Sequence, residues 1–186
     1  KVVIKTLIDN FYYPKLGPGM MWQAVSNIVQ KNNSHVRLGA DVDGVLWTEN
    51  KIEALEVKQN GHREKILGTH FVSSMPLREL IHKLKPPAPE KVLKAASMLA
   101  YRDFLIIALI VNKRDVFQDN WIYIHDPRVK LGRIQNFKNW SSSMVPDQDK
   151  TCLGLEYFCF EGDELWSMSD QELIELGKRE LSTLGL

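Results

Sequence analysis

The chain has 186 residues, 44% of them hydrophobic and 25% charged, and its 24 Lys and Arg against 23 Asp and Glu leave a formal net charge of +1. This composition is typical of a globular protein, and the balanced charge argues against nucleic acid or an anionic membrane surface as partners. The longest apolar stretch, 104–111, is far shorter than the roughly 20 residues that cross a bilayer. With only two cysteines, Cys152 and Cys159, the chain is expected to be cytoplasmic, with reduced thiols.

The first half of the chain is predicted to contain a helix followed by a β-meander. Residues 1–10 have the pattern of an amphipathic element without an initiating Met, from which we expect a fragment of a longer protein. Apolar residues at helical spacing predict a helix over 19–30, after a turn-rich segment. Strands are predicted over 36–45, 52–58 and 65–74, with a hairpin turn at Asn60-Gly61.

The second half is predicted to contain a sheet with helices. A short helix begins near Pro76, and the proline-rich segment that follows it is interpreted as a domain boundary after residue 84. Further elements are a helix over 92–99, strands over 104–111, 121–125, 134–137 and 152–160, and a final helix capped at Ser169. The strand 104–111 is apolar on both faces, which predicts a central position in its sheet. The fold class is therefore α+β, with an antiparallel meander in 1–84 and a mixed sheet flanked by helices in 85–186.

Several common sites are not encoded by recognisable motifs. Gly17-Pro-Gly19 precedes a helix but lacks the third glycine and the preceding apolar strand of a dinucleotide-binding loop. The five histidines are scattered without ligand spacing, so no metal site is expected. Cys152 and Cys159 should point to opposite faces of their strand and are not expected to form a redox pair. No nucleophile motif is present, and the catalytic residues stay unknown.

Residues 119–146 combine aromatic side chains with Arg and Asn on two consecutive strands. Aromatic rings stack on flat ligands and guanidinium pairs with oxyanions, so this stretch suits a sugar, a nucleotide or another anionic polar ligand. The alternative is structural: the aromatic residues are core, and Arg133 forms an ion pair with Glu156 or Asp126. Residue types alone favour the structural alternative.

The order of three segments, 13–20, 36–42 and 71–76, resembles the middle of the flavin-dependent amine oxidase and protoporphyrinogen oxidase superfamily. A later run, 120–141 followed by 145–146 and 156–157, is similar to the substrate half of UDP-galactopyranose mutases. The resemblance implies that Val42 contacts the adenine of FAD, and that the turn containing Ser73, Ser74 and Pro76 lies near the cofactor. It implies a substrate-binding group in which Arg133 meets a diphosphate, with these lining residues: Trp121, Tyr123, Asn136 and Trp140.

The glycine-rich loop that opens such enzymes and the closing segment that binds the flavin chain have no counterpart in this sequence. The resemblance therefore implies that residues 1–84 are part of an FAD-binding domain and 85–186 a substrate-binding domain, and that this fragment alone is inactive and does not retain FAD. The full-length protein is expected to be an FAD-dependent oxidoreductase of the amine oxidase type acting on a small polar or nucleotide-sugar-like molecule. The alternatives are a mutase-like flavin-dependent isomerase, a cofactor-free module that binds a glycan or nucleotide-sugar, and an interaction domain with no small-molecule site.

Overall fold

The computed structural model describes residues 11–186, and the amphipathic element predicted over 1–10 lies outside this range. The chain divides into two compact units. The central unit is Asn33–Tyr101, and the sheet unit combines the described residues up to Asn32 with Arg102–Leu186. The predicted α+β class is confirmed, with two four-stranded sheets and helices. None of the described helices is long and apolar enough to cross a membrane.

The central unit is built on a meander, as the sequence predicts. Its elements are β1 (Ala40–Thr48), β2 (Lys51–Gln59), β3 (His62–Leu67), α2 (Leu77–His82), β4 (Leu84–Lys85) and α3 (Glu90–Ser97). The strand order is β3-β2-β1-β4; β1, β2 and β3 are antiparallel, and β4 pairs parallel with β1. The first strand starts later than predicted because Leu38 and Gly39 form a turn, and β3 ends at Leu67 because 68–76 form a loop.

The β2–β3 hairpin confirms the turn predicted at Asn60-Gly61. Both residues have positive φ, 50° for Asn60 and 81° for Gly61, which is the conformation of a two-residue type I′ turn. Asparagine and glycine adopt this conformation at low cost. The turn sets the register in which Gln59 faces His62 and Leu55 faces Ile66.

The boundaries between the two units lie after Asn32 and after Tyr101, whereas the sequence predicted a boundary after residue 84. Leu84 and Lys85 pair with Val45 and Leu46 of β1, so the chain stays in the central unit at this point. The helices α2 and α3 are joined by a hydrogen bond between His82 Nε2 and Ser97 Oγ (3.1 Å). The assignment of cofactor and substrate roles to the two parts of the chain stays a prediction.

The sheet unit begins with α1 (Gly19–Lys31), where a helix was predicted. The remaining elements are β5 (Asp103–Val111), β6 (Trp121–Tyr123), β7 (Arg133–Asn136), α4 (Phe137–Trp140), a 3₁₀ turn (Ser142–Met144), β8 (Thr151–Cys159), α5 (Glu164–Ser167) and α6 (Asp170–Leu184). The strand order is β5-β8-β7-β6, and every pairing is antiparallel. The parallel pairing expected in this half is therefore found in the central unit instead.

The apolar strand β5 lies at an edge of its sheet, whereas the sequence predicted a central position. The centre is occupied by β8, whose residues are buried along almost its whole length. On β5, exposed and less exposed positions alternate, and Ile110 is 74% exposed although Ile107 is buried. Apolar residues on both faces are thus compatible with an edge strand, because periodicity reports side-chain type and not pairing partners.

One face of this sheet packs against α6 and forms the hydrophobic core. The buried members are Ile107, Leu131, Ile134, Leu153, Leu155, Tyr157, Cys159, Leu165, Leu173, Leu176 and Leu181. The backbone of α6 comes close to the sheet at Gly177, where an added Cβ would lie 2.8 Å from Leu155 Cδ1. The helix begins with the capping box predicted at Ser169, completed by Glu172.

A buried carboxylate fastens α6 to the loop before β7. Glu180 is 6% exposed and accepts hydrogen bonds from the backbone N–H of Lys130 (2.8 Å) and of Leu131 (3.1 Å). Burial, together with the nearby Glu180 carboxylate, raises the pKa of Tyr157 above its ordinary value. These groups belong to the core face and position the strands on which the candidate site is built.

Candidate functional site

The second face of the sheet in the sheet unit carries most of the predicted substrate residues. Because side chains alternate along a strand, this face holds the residues that do not point into the core. We call it the open face, and it consists of Phe104, Ile106, Ile110, Trp121, Tyr123, Arg133, Gln135, Glu156 and Phe158. Exposed aromatic and aliphatic groups surround the polar residues at its centre. Exposed apolar patches of this kind often mark the surfaces to which ligands or other proteins bind.

An ion pair between Arg133 and Glu156 lies at the centre of the open face. The two residues face each other on β7 and β8, and Arg133 Nε donates to Glu156 Oε2. The Glu156 side chain is 3% exposed and that of Arg133 is 29% exposed. The hydrogen bond with Glu156 raises the pKa of Arg133 above its ordinary value, so the guanidinium is fully charged.

A chain of hydrogen bonds continues from this pair to an indole. Gln135 Nε2 donates to Glu156 Oε1 (3.0 Å), and Trp140 Nε1 donates to Gln135 Oε1 (2.8 Å). The two partners fix the orientation of the Gln135 amide, because a flipped amide would place its NH₂ group against the Trp140 N–H and its oxygen against the Glu156 carboxylate. Arg133 also lies over the ring of Tyr123, with its Cζ 5.7 Å from the ring centroid.

Aromatic rings gather around Trp140 at the end of the open face. Trp121 stacks on it with centroids 5.1 Å apart and ring planes 5° from parallel. Tyr13 and Phe11, from the segment before α1, lie 4.9 Å and 5.5 Å from the same ring. Trp140 is therefore partly enclosed by other rings, and the more exposed aromatic surface belongs to Tyr123, at 61%.

The short helix α4 that carries Trp140 is held by the side chain of each of its residues. Lys138 Nζ donates to the backbone carbonyls of Arg114 (2.7 Å) and Gln148 (2.6 Å), among others. Asn139 Nδ2 donates to the carbonyls of Phe117 and Asp119, and the Phe137 ring occupies the space above Gly154. The backbone that carries Trp140 is thus held by hydrogen bonds and packing from α4 itself, which favours a preformed binding surface.

Asn136 lies apart from the other predicted substrate residues. It follows Gln135 on β7 and so points to the core face, where it is 1% exposed. Its Nδ2 donates to the carbonyl of Phe117 at 3.2 Å, which ties the loop after β5 to the sheet. The structure therefore brings Arg133, Tyr123, Trp121 and Trp140 together on one side and places Asn136 on the other.

The predicted cofactor residues lie in the central unit, where a half-open groove of about 710 Å³ is present. Val42 on β1 and the loop residues Ser73 and Ser74 line this groove. The remaining lining residues are mostly apolar: Val45, Ile52, Leu55, His70, Phe71, Val72, Met75 and Leu80. Pro76 lies directly after the groove-lining loop, at the start of α2. The structure thus brings Val42, Ser73 and Ser74 to one cavity.

The groove would suit a ring system of FAD better than its pyrophosphate. Its apolar walls would fit a flat ring, and Ser73 and Ser74 contribute the hydroxyl groups among the lining residues. Its lining contains no Lys or Arg that could neutralise a pyrophosphate. Among residues 11–186, no group of three or more His, Cys, Asp or Glu is placed to hold a metal ion. The groove would therefore accept a flat ring, such as one of the ring systems of FAD, and its lining offers no cation to a diphosphate.

Sequence reasoning missed Gln135 on the open face and the two aromatic rings that approach Trp140 from the start of the described chain. Gln135 could have been found, because it lies two residues after Arg133 in a strand and must share its face. Phe11 and Tyr13 carried no such signal, because they approach Trp140 from a segment more than 100 residues away in the sequence. The sequence predicts Glu156 or Asp126 as a structural partner of Arg133, and the ion pair with Glu156 is present.

Solved structures share this fold over most of the chain. A reduced UDP-galactopyranose mutase superposes with a TM-score of 0.69 and 18% identity over 88% of this chain. The PF1083 protein from Pyrococcus furiosus gives 0.69 and 13% over 90%, and a protein provisionally assigned as a protoporphyrinogen oxidase from Exiguobacterium sp. 255-15 gives 0.63 and 15% over 90%. No family profile matches the sequence, and no curated protein matches it either.

The resemblance stated from the sequence is confirmed at the level of the fold. The chain corresponds to 34%, 39% and 35% of the three solved chains, so it spans little more than a third of their length. At these identities the similarity defines the architecture and not the activity. The fold of this chain is therefore that of a part of these three solved chains.

Proposed function

We propose that this chain is part of an FAD-dependent oxidoreductase of the amine oxidase type, and that the open face is its substrate-binding surface. The observation that carries the proposal is the convergence of Arg133, Tyr123 and Trp121 on one exposed sheet face around a buried ion pair. The similarity of fold to a UDP-galactopyranose mutase supports it.

The chemistry of the open face favours a small polar ligand with a flat or anionic part. Tyr123 and Trp121 offer ring faces for stacking, and Arg133 offers guanidinium N–H groups for an oxyanion. A nucleotide-sugar combines both features. When bound in the full-length protein, FAD would supply electron or hydride transfer, and Val42, Ser73 and Ser74 would contact its ring portion.

Absorption by the full-length protein tests the cofactor. We expect the product of the complete reading frame to be yellow, with absorbance near 450 nm, roughly where oxidised flavin absorbs. A full-length protein that purifies without this absorbance, and does not acquire it when FAD is added, would contradict the flavin part of the proposal.

Replacement of Arg133 tests the substrate surface. Arg133→Ala in the full-length enzyme should raise KM by about tenfold or more, because a charge-assisted hydrogen bond to the substrate is lost. Arg128→Ala is the matched control, since Arg128 is an exposed arginine of the same unit paired with Asp126 in its own loop. Equal kinetic constants for the two variants would show that Arg133 does not bind the substrate.

Two alternatives share the same surface. A mutase-like enzyme would use the flavin for a redox-neutral isomerisation, and product analysis with UDP-galactopyranose distinguishes it from net oxidation. A cofactor-free glycan-binding module is favoured by the Tyr123 ring, which is 61% exposed beside Arg133 and so offers an apolar face next to a polar group. A colourless full-length protein that binds immobilised glycans would support the module.

A further inference from the structure

Glu156 is a buried carboxylate on a face that otherwise exposes its side chains. It lies at the middle of β8, between Arg133 on β7 and Ile106 on β5. Burying a carboxylate costs several kcal/mol unless it is paired, and a buried ion pair often gives no more stability than apolar residues of the same volume. Stability alone therefore gives a weak account of this pair.

Both oxygens of Glu156 are used, and they fix its position. Oε2 accepts from Arg133 Nε, and Oε1 accepts from Gln135, whose amide is held in turn by Trp140. Rotation of the carboxylate would break hydrogen bonds to two residues. Arg133 is thus attached to a rigid group that belongs to a different strand.

The atom by which Arg133 is held decides what remains for a ligand. Guanidinium presents donors on two edges, one with Nε and one with the terminal pair Nη1 and Nη2. Glu156 occupies Nε, and the Tyr123 ring flanks the guanidinium. The terminal edge is the fork that forms two parallel hydrogen bonds to one phosphate group.

We propose that Glu156 is a positioning residue that holds Arg133 by Nε so that its terminal nitrogens bind one phosphate oxyanion of the substrate. This inference rests on the proposed function of the open face. A guanidinium fixed in advance loses less rotamer entropy when the ligand binds, which increases affinity. Gln135 supports the same arrangement by orienting Glu156.

Glu156 has two opposing effects on the binding of an anionic ligand. Its negative charge repels an anionic ligand, whereas its hold on Arg133 prepares the site for that ligand. Glu156→Gln removes the charge and keeps an oxygen that accepts from Arg133 Nε, while its amide nitrogen replaces the oxygen that accepts from Gln135. Glu156→Leu removes both the charge and the acceptor. The two variants therefore separate positioning from electrostatics.

The experiment measures the affinities of UDP and of uridine for the full-length protein by isothermal titration calorimetry. The two ligands differ only in the diphosphate, so the ratio of their affinities isolates the oxyanion. Glu156→Leu should weaken UDP about tenfold and leave uridine unchanged, because one positioned ionic contact is lost. Glu156→Gln, which keeps the contact to Arg133 Nε, should bind UDP more tightly than Glu156→Leu does.

A merely structural role for Glu156 predicts a different pattern, in which Glu156→Leu weakens UDP and uridine equally; that result, or unchanged UDP affinity, would overturn the inference. Circular dichroism checks folding. If Glu156→Leu does not fold, Gln135→Leu takes its place, and it should weaken UDP about threefold without affecting uridine, by loosening Glu156. Unchanged UDP affinity in Gln135→Leu would then reject the inference.

The flavin spectrum of each protein separates this inference from the proposed function. A wild type that binds UDP no more tightly than uridine rejects the positioning role, whatever its absorbance. If the wild type is colourless but Glu156→Gln and Glu156→Leu differ in UDP affinity as expected, the positioning role stands and the flavin assignment is rejected.

Discussion

The two four-stranded sheets differ in what covers them. The sheet of the sheet unit has one face buried beneath α6, with large side chains such as Leu155 and Tyr157 fully enclosed. In the central unit, the buried hydrophobic residues are small or medium in size: Val45, Ala54, Val57, Ala88 and Ala96. Sheets of equal strand number therefore bury hydrophobic side chains of different size.

This difference indicates where each unit obtains its stability. In the sheet unit, the core joins strands and a helix that are distant in sequence, and burial at about 25 cal/mol per Å² is the main favourable contribution. In the central unit, short hairpins and exposed pairs such as Lys85–Glu56 are prominent. Exposed ion pairs contribute little, so local turn geometry has a larger relative weight there.

Removal of a core side chain from the sheet unit should have the largest effect. Leu155→Ala should lower the free energy of unfolding by about 3 kcal/mol, because Leu155 is fully buried against Gly177 of α6. Hydrogen exchange measured by mass spectrometry should show the loss of protection in the sheet unit. Ile110→Ala, at a 74% exposed position of β5, is the control and should cost less than about 0.5 kcal/mol. Equal effects of the two changes would contradict the comparison.

A change in a single turn should weaken the central unit. Gly61→Ala should cost about 1 kcal/mol, because Gly61 has a φ of 81° that an alanine adopts with strain. Amide exchange of β2 and β3 should increase, while that of α6 stays unchanged. Gly19→Ala, in the first turn of α1 where an added Cβ meets no atom, serves as the control and should be neutral. Loss of protection confined to the sheet unit would reject the division into units.

The smallest effect concerns the cap of α6 and depends on pH. Hydrogen bonds from the Ser169 side chain and backbone lower the pKa of Glu172 below its ordinary value. The folded state therefore binds this proton less tightly than the unfolded state, so the stabilisation is complete at neutral pH. It is lost as the pH falls below about 4.3, the usual glutamate value, through the lowered one.

Ser169→Ala checks this relation. It should destabilise α6 by about 1 kcal/mol at neutral pH and raise the pKa of Glu172 toward its ordinary value, as followed by carbon-13 NMR of the carboxyl group. Ser182→Ala, an exposed serine of the same helix, should leave the titration unchanged. A Glu172 pKa that does not move in Ser169→Ala would contradict the capping interaction.

Elements with local causes could be predicted from the sequence. The helix at Gly19–Lys31, the turn at Asn60-Gly61 and the capped helix that begins after Ser169 are all set by residues within a few positions of each other. The common face of Arg133, Tyr123 and Trp121 could be predicted only in part. Alternation shows that Trp121 and Tyr123 share a face of their strand, but it does not relate them to Arg133 on another strand.

Features that depend on partners from distant parts of the chain could not be predicted. The apolar pattern of β5 indicated burial, but its position at the sheet edge depends on β8 taking the centre. Leu84 and Lys85 pair with β1, so the central unit continues through the proline-rich segment at which the sequence predicted a boundary. The position of Asn136, by contrast, could have been predicted, because it lies three residues after Arg133 in β7 and alternation turns it to the opposite face.

The sequence by itself determined the α+β class, most of the helices and strands, and the residue types of the candidate site, because propensity and periodicity act over short distances. The tertiary structure alone decided that Gln135 and Trp140 complete the group around Glu156 and that segment 11–13 covers Trp140. Strand register and packing bring these residues together, and both depend on contacts between residues far apart in the chain.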